Sequence, residues 1–313
     1  MKKILVTGAF GLVGSDLILT LQQKHGKENI ICLGNKTIPE NFDGVLEKGN
    51  VTNISEMEEI ITKHEIAQVY HLAGVLSAGS EKNPQLGWDV NYLSVKHMLD
   101  LAVKYKFQLF WPSSIGAFGP TTPRENTPQH TVLEPSTMYG VAKVSAELLS
   151  NYYFLKYGVD VRSLRYPGLI GYKAPPGDGT TEYSVHIFYK AIQEGKYSIF
   201  LKEDAALPMM YIDDAIRGTI ALMDAPSENI TVRTSYNFSA ISFTPKEMVA
   251  ELQKLLPEFT ATYEPDERQK IADSWPRSID DTQARNDWGW HHEYDLPRMT
   301  KIMLENIKLK LNK

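Results

Sequence analysis

Two residues in this sequence have the types and spacing of an acid–base device. Tyr139-Gly140-Val141-Ala142-Lys143 sets a phenol and an ammonium four residues apart. On a helix such positions are neighbours, with Cβ atoms about 5–6 Å apart. A free tyrosine ionises near pH ~10, so service as a base near neutrality needs a fall of roughly 3 units, or about 4 kcal/mol. A fixed cation alongside supplies part of that fall. A third residue joins them. The run Trp111-Pro112-Ser113-Ser114-Ile115-Gly116 ends the strand before this helix and brings the Ser114 hydroxyl to the same edge. There it can hold a reacting oxygen against Tyr139. Taken singly, each feature has a plainer reading, a surface Tyr/Lys pair or a serine capping its own turn.

A second motif points to a dinucleotide. Thr7-Gly8-Ala9-Phe10-Gly11-Leu12-Val13-Gly14 follows an apolar strand and opens a helix. A pyrophosphate must approach backbone N–H groups closely, and the helix N-terminus adds a partial positive charge. The spacing is G-x-x-G-x-x-G, not the usual G-x-G-x-x-G. The end of the next strand, where an acidic residue normally binds the adenosine ribose, reads Leu33-Gly34-Asn35-Lys36. Asn35 can bond ribose hydroxyls and Lys36 can meet a 2′-phosphate, so these residues leave NAD and NADP both open.

The elements that must position these groups follow from periodicity. Short apolar runs at 4–6, 30–33, 69–72, 107–111 and 159–166 read as strands, and helices read over 12–25, 86–105 and 137–157. Ser55 to Glu58 has the capping-box pattern and predicts a helix start. Continuous apolar strands alternating with helices predict a parallel sheet covered on both faces, with ligands outside the carboxyl ends of its strands. Beyond Ala174-Pro175-Pro176-Gly177-Asp178-Gly179 the pattern loosens. It predicts helices over 183–194 and 296–311 and from Thr244-Pro245, and strands at 209–212 and 236–238. The division expected is a dinucleotide-binding domain over 1–170, to which some later segments return, and a smaller domain mainly from 171–313.

Composition bounds the alternatives. The 313 residues are 42% hydrophobic and 23% charged, as in ordinary globular chains. A net charge of −5 supplies no basic face for nucleic acid. No apolar run reaches the ~18 residues of a membrane span. Lys2-Lys3-Ile4-Leu5-Val6 imitates a secretion signal, but Gly8, Gly11 and Gly14 break the apolar stretch that one requires. Cys32 is the single cysteine, which fits a reducing cytosol. The eight histidines, His71 and His186 among them, show no ligand spacing with Cys or Glu apart from His291-His292 before Glu293, and adjacent histidines point apart on any regular element, so no metal is expected.

Taken together, the glycine turn and the Ser–Tyr–Lys set resemble the extended short-chain dehydrogenase/reductase family, also known as the NAD-dependent epimerase/dehydratase family. Within it the chain is most similar to the branch of short-chain-type L-threonine 3-dehydrogenases. That narrower likeness rests on Leu76-Ser77-Ala78, Glu81-Lys82-Asn83-Pro84, the Trp111 to Pro120 run, Thr121-Thr122-Pro123 with Glu125-Asn126-Thr127-Pro128-Gln129, Arg165-Tyr166-Pro167-Gly168-Leu169-Ile170, Gly179-Thr180-Thr181, Pro208-Met209-Met210-Tyr211, and Ser274-Trp275-Pro276 with Ser278-Ile279-Asp280-Asp281.

The resemblance implies a Rossmann-type α/β fold, a doubly wound parallel sheet with a smaller C-terminal α+β substrate domain. It implies NAD as cofactor and oxidation of the L-threonine 3-hydroxyl to 2-amino-3-oxobutanoate, with Tyr139 as base, Lys143 as its partner and Ser114 as hydroxyl anchor. Gly8, Gly11, Leu12, Val13, Gly14, Asn35, Asn50, Val51, Leu72, Ala73, Gly74, Asn91 and Tyr166 would face the dinucleotide, with Tyr139 and Lys143. Ser77, Gly179, Thr180 and Trp275 would line the amino-acid pocket, with Ser114 and Tyr139. By the same likeness the chain is expected as a cytoplasmic homodimer, pairing through helices 86–105 and 137–157. The chain departs from the family pattern at Gly34, Asn50, Gly74, Asp178 and Glu182. Two rival functions are a nucleotide-sugar epimerase or dehydratase of the same family and a non-catalytic NAD(P)-binding regulatory module.

Overall fold

In the computed structural model, which describes residues 2–35 and 38–311, the first apolar run forms β1 (Lys3–Thr7) with Ile4, Leu5 and Val6 all buried. A strand apolar on both sides must be covered on both faces. α1 (Leu12–His25) provides one cover and stops at Gly26, whose φ is 87°. β2 (Ile30–Gly34) follows, then β3 (Val45–Lys48), which the sequence pattern did not reveal. α2 (Ile54–His64) starts earlier than expected, because Asn53 is its cap. The Asn53 side chain accepts from Ser55 N at 3.2 Å, and its amide donates to Glu56 at 2.7 Å. β4 (Ile66–His71) comes next.

The single helix expected over 86–105 is interrupted. α3 (Ser77–Lys82) and α4 (Pro84–Trp88) precede a π-turn at Asp89–Leu93, and α5 (Ser94–Tyr105) completes the run. β5 (Gln108–Ser114), α6 (Met138–Tyr157) and β6 (Val161–Tyr166) finish this part. α6 begins where the Thr137 hydroxyl accepts from Gly140 N at 3.1 Å.

The main sheet has the order β3–β2–β1–β4–β5–β6, with a short strand at Tyr236–Asn237 beyond β6. β1 pairs in parallel with both β2 and β4, and β2–β3 and β4–β5 are also parallel. Strand order reverses between β1 and β4, the crevice where such sheets take ligands. Under the sheet, Trp111 is fully buried and donates to the Ser150 hydroxyl of α6 at 2.9 Å.

The later elements are β7 (Gly168–Ile170), α7 (Tyr183–Glu194), β8 (Lys196–Ile199), β9 (Leu207–Tyr211), α8 (Ile212–Asp224), β10 (Tyr236–Asn237), β11 (Ile241–Phe243), α9 (Pro245–Gln253), β12 (Thr260–Tyr263), α10 (Arg268–Asp273), α11 (Thr282–Trp288) and α12 (Leu296–Leu311). They build a three-stranded sheet, β11–β9–β7, and a parallel pair, β12–β8. α9 carries a full capping box between Thr244 and Glu247.

The chain divides into two compact units, but not at one point near residue 170. The first takes the residues up to Ala117, then Ser136–Arg165 and Ile216–Tyr236; the second takes Phe118–Pro135, Tyr166–Ala215 and the residues from Asn237 on. Hydrogen bonds explain both excursions. Thr127 N donates to Ser278 O and Asp280 N to Thr127 O, each at 3.0 Å, which ties 118–135 into the second unit. Arg162 donates to Leu222 O at 2.5 Å and Ala225 O at 2.7 Å, and Arg233 donates to Asp160 at 2.6 Å, which ties 216–236 into the first.

Candidate active site

β5 delivers Ser114 at its carboxyl end and the first turn of α6 delivers Tyr139. The Ser114 hydroxyl accepts from Gly116 N at 3.1 Å, and it and the Tyr139 ring both border Gly116, where a Cβ would lie 3.5 Å from Ser114 Oγ and 2.9 Å from Tyr139 Cδ1. One turn further along α6, Lys143 Nζ lies 5.4 Å from the Tyr139 ring centroid and donates to Pro112 O at 2.7 Å. The structure therefore brings Ser114, Tyr139 and Lys143 together at one sheet edge.

The electrostatics differ from the simple expectation that the lysine presets an acidic phenol. Burial pushes the Tyr139 phenol above its usual range, and the Ser114 hydrogen bond only reduces that rise. Burial pulls the Lys143 ammonium down to about 8, against the opposing pull of the Glu147 carboxylate. Desolvation disfavours both charged forms, and in the ligand-free chain it outweighs the help the two charges can give each other.

The glycine turn sits at the switch point, at the same carboxyl edge. Gly8 has φ 64°, and a Cβ there would lie 2.7 Å from Ala73 N and Leu72 C in the turn after β4. A Cβ on Gly14 would lie 2.2 Å from Gly8 O. Gly11 caps α1 without any side-chain hydrogen bond, so no capping side chain satisfies the first N–H groups of the helix. A pyrophosphate fits such a terminus. Thr7 locks the two turns together: its hydroxyl lies 2.9 Å from His71 Nδ1 and accepts from Ala73 N at 3.2 Å. His71 in turn meets the Ser94 hydroxyl at 2.7 Å. Burial holds its imidazole down to about 3, so it is a neutral strut.

The other expected dinucleotide residues divide. Asn35 is exposed at the end of β2. Gly34 leaves no room for a carboxylate without rearrangement, since its Cβ would lie 2.6 Å from Ile38 Cγ1 and 3.0 Å from Phe10 Cε2. Lys36 lies outside the described residues. Asn50 is exposed and accepts from Thr52 N at 3.1 Å, while Val51 is a core residue. Asn91 is buried, with its polar atoms engaging Val75 N and O and the Ser80 hydroxyl at 2.9 to 3.2 Å. It shapes the turn after β4 rather than offering a free group. Ser77 is buried and opens α3.

In the second unit Tyr166, Thr180 and Trp275 are buried. Gly179 lies in a loop held by two residues of the α7 start, with Gly177 N donating to Glu182 at 3.0 Å and His186 Nε2 lying 3.1 Å from Gly177 O. Trp275 O accepts from Arg124 Nε at 3.2 Å. Among the described residues no group of three or more His, Cys, Asp or Glu could hold a metal ion, and no helix is long and apolar enough to cross a membrane.

The sequence pattern of the NAD dependent epimerase/dehydratase family matches residues 4–238. The chain belongs to that family. A mitochondrial L-threonine 3-dehydrogenase from Bos taurus is 44% identical over 97% of this family member and 82% of its own length. Among solved structures, an L-threonine dehydrogenase from Phytophthora infestans is 45% identical with a TM-score of 0.96, covering 99% of this chain and 100% of the other. A monomeric L-threonine 3-dehydrogenase from a metagenome is 46% identical with a TM-score of 0.95, again covering 99% and 100%.

Four residues of this epimerase/dehydratase family member were missed in the sequence. Gly116 seats the Tyr139 ring, and Glu147, Arg165 and Ser113 form a buried cluster beneath Lys143. Signals for two of them existed: Glu147 follows Lys143 by four residues, and Arg165 interrupts a buried strand.

Proposed function

We propose that the chain is an NAD-dependent L-threonine 3-dehydrogenase that converts L-threonine to 2-amino-3-oxobutanoate. One observation carries the reading: a phenol beside a serine hydroxyl and one helical turn from a buried ammonium, at the sheet edge that also bears the glycine turn. The activity of the full-length relatives supports the choice of alcohol. Tyr139 takes the proton of the 3-hydroxyl, Ser114 holds that oxygen in place, and Lys143 supports the phenolate. The glycine turn and the N-terminus of α1 take the pyrophosphate, and Asn35 and the Leu72–Gly74 turn lie toward the ribose side. Ser77, Gly179, Thr180 and Trp275 serve the amino and carboxylate groups. A bound dinucleotide would supply the hydride acceptor for C3 and a positively charged ring.

NAD is preferred to NADP in this reading, on the strength of the family. A homodimer is proposed through α6, where Val141, Leu148, Tyr152 and Leu155 are exposed at 41%, 61%, 46% and 71% along one face, a larger apolar stripe than a solvated helix needs. The lone buried thiol of Cys32 suits a cytoplasmic setting.

Purified protein mixed with L-threonine and NAD should raise the absorbance of reduced cofactor, with a smaller response to NADP. No signal with threonine, together with conversion of a nucleotide sugar, overturns the reading in favour of an epimerase.

A further inference from the structure

Beneath the Tyr139–Lys143 pair lies a closed ionic cluster that the proposed reaction does not use. Tyr139, Lys143 and Glu147 follow one another at four-residue steps along α6 and so share a face. Glu147 is fully buried and Arg165, from β6, is 3% exposed. Arg165 grips the carboxylate through two nitrogens, Nε at 3.0 and 3.2 Å and Nη2 at 2.7 Å, and the Ser113 hydroxyl donates to it at 2.6 Å.

As packing, this arrangement is poor value. Well-packed apolar residues in place of a buried ion pair are often neutral or stabilising. What the cluster does supply is a fixed charge next to Lys143. On its own helix Lys143 faces Tyr139 and Glu147. From β5 it meets the Trp111 ring at 5.5 Å and Pro112 O, from β4 the neutral His71, and Arg165 stands behind Glu147 on β6. Among these groups Glu147 is the acid that acts on the Lys143 charge.

We infer that Glu147 is a positioning residue for the reaction. Its carboxylate, partly neutralised by Arg165 and oriented by Ser113, keeps the proton of the Tyr139–Lys143 pair on the lysine and so leaves the phenol as the base. This deepens the proposed function and rests on Tyr139 being the base. Burial alone drives the pair the other way, toward a neutral amine and a neutral phenol. A negative charge buried one turn below the ammonium opposes that drift, and Arg165 limits how far it does so. The two charged partners therefore act on Lys143 with opposite sign.

That opposition makes the test. The Cε resonance of Lys143 in isotopically labelled, ligand-free protein, assigned by its loss in Lys143→Met, gives the pH midpoint of the ammonium without substrate. Glu147→Gln should lower that midpoint by about half a pH unit or more, Arg165→Met should raise it, and Glu147→Asp, which keeps the charge, should restore it most of the way. The pH limb of kcat/KM should move in the same directions. Midpoints that stay put, or that move the same way in the Gln and Met variants, overturn the inference. Should Glu147→Gln fail to fold, Arg165→Met carries the test alone, and an unmoved or lowered midpoint sinks the idea. Because the resonance is read without substrate, a failure of threonine oxidation and a failure of this inference are seen separately.

Discussion

The Tyr139 ring rests on Gly116: a Cβ at that position would come within 2.9 Å of Cδ1 and 3.0 Å of Cε1. Gly116 is thus the floor that sets the phenol beside Ser114. A branched side chain there must push the ring out of place, and misplacement of a reacting group by about 1 Å costs on the order of 10²-fold in rate. Gly116→Val should therefore lower kcat by roughly that factor, while dinucleotide affinity, read by fluorescence titration, changes little. A variant with unimpaired kcat would remove Gly116 from the site.

Tyr139→Phe keeps the ring on Gly116 and removes only the oxygen. General-base catalysis contributes roughly 10²–10⁴-fold, so turnover should fall by at least that much while the dinucleotide still binds. Retention of full rate would refute the assignment of the base.

The pH dependence follows from the same pair. In the ligand-free chain burial pulls the Lys143 ammonium down to about 8 and pushes the Tyr139 phenol up. Two such close groups titrate as a unit, and the working form, phenolate with ammonium, belongs to the state that has lost one proton. Accordingly kcat/KM should rise with pH up to about 8 and then level off. A flat profile across the acid side of that value would count against rate-limiting deprotonation at this pair.

How much of this was legible in advance varies with the distance between partners. The glycine turn, Ser114, Tyr139 and Lys143 are local signals, each readable within a few residues, and all four fall where the pattern puts them. The main strands were readable because they are apolar throughout. β3 was not, since Val45–Lys48 is short, half charged and only partly buried. The cap of α2 lies two residues before the Ser55 of the pattern, because the Asn53 side chain accepts from Ser55 N and Glu56 N. Glu147 and Arg165 meet across 18 positions of sequence, and only the sheet brings them together. The short strands of the second unit carry too few residues for a period to show.

His71 links acid sensitivity to the bonds that lock the two turns together. Its imidazole is held down to about 3 in the fold, against about 6.5 when unfolded. The unfolded chain therefore binds the extra proton first, and stability is present above the unfolded value and lost as pH falls through that window, at up to about 1.4 kcal/mol per unit. Urea unfolding should show a loss of about 1 kcal/mol or more between pH 7 and pH 5. In His71→Gln the dependence should flatten, and an equally steep dependence in that variant would place its origin elsewhere.

The stripe on α6 gives a prediction about assembly. Leu155, exposed at 71%, and Leu148, exposed at 61%, would be covered in a dimer. The wild-type chain should sediment at twice its chain mass, and Leu148→Glu/Leu155→Glu at the chain mass with its fold intact. A wild-type chain that sediments as a monomer at micromolar concentration refutes the pairing.

The return of residues 216–236 to the first unit bears on biosynthesis. Arg162, on the last long strand of the main sheet, takes its carbonyl partners from Leu222 and Ala225, and Asp160 takes one of its cations from Arg233. A nascent chain that has left the ribosome only as far as that strand still lacks these partners, because the stretch that supplies them is translated some sixty to seventy residues later. An N-terminal fragment that stops at that strand leaves Arg162 without its carbonyl partners and Asp160 without the Arg233 cation.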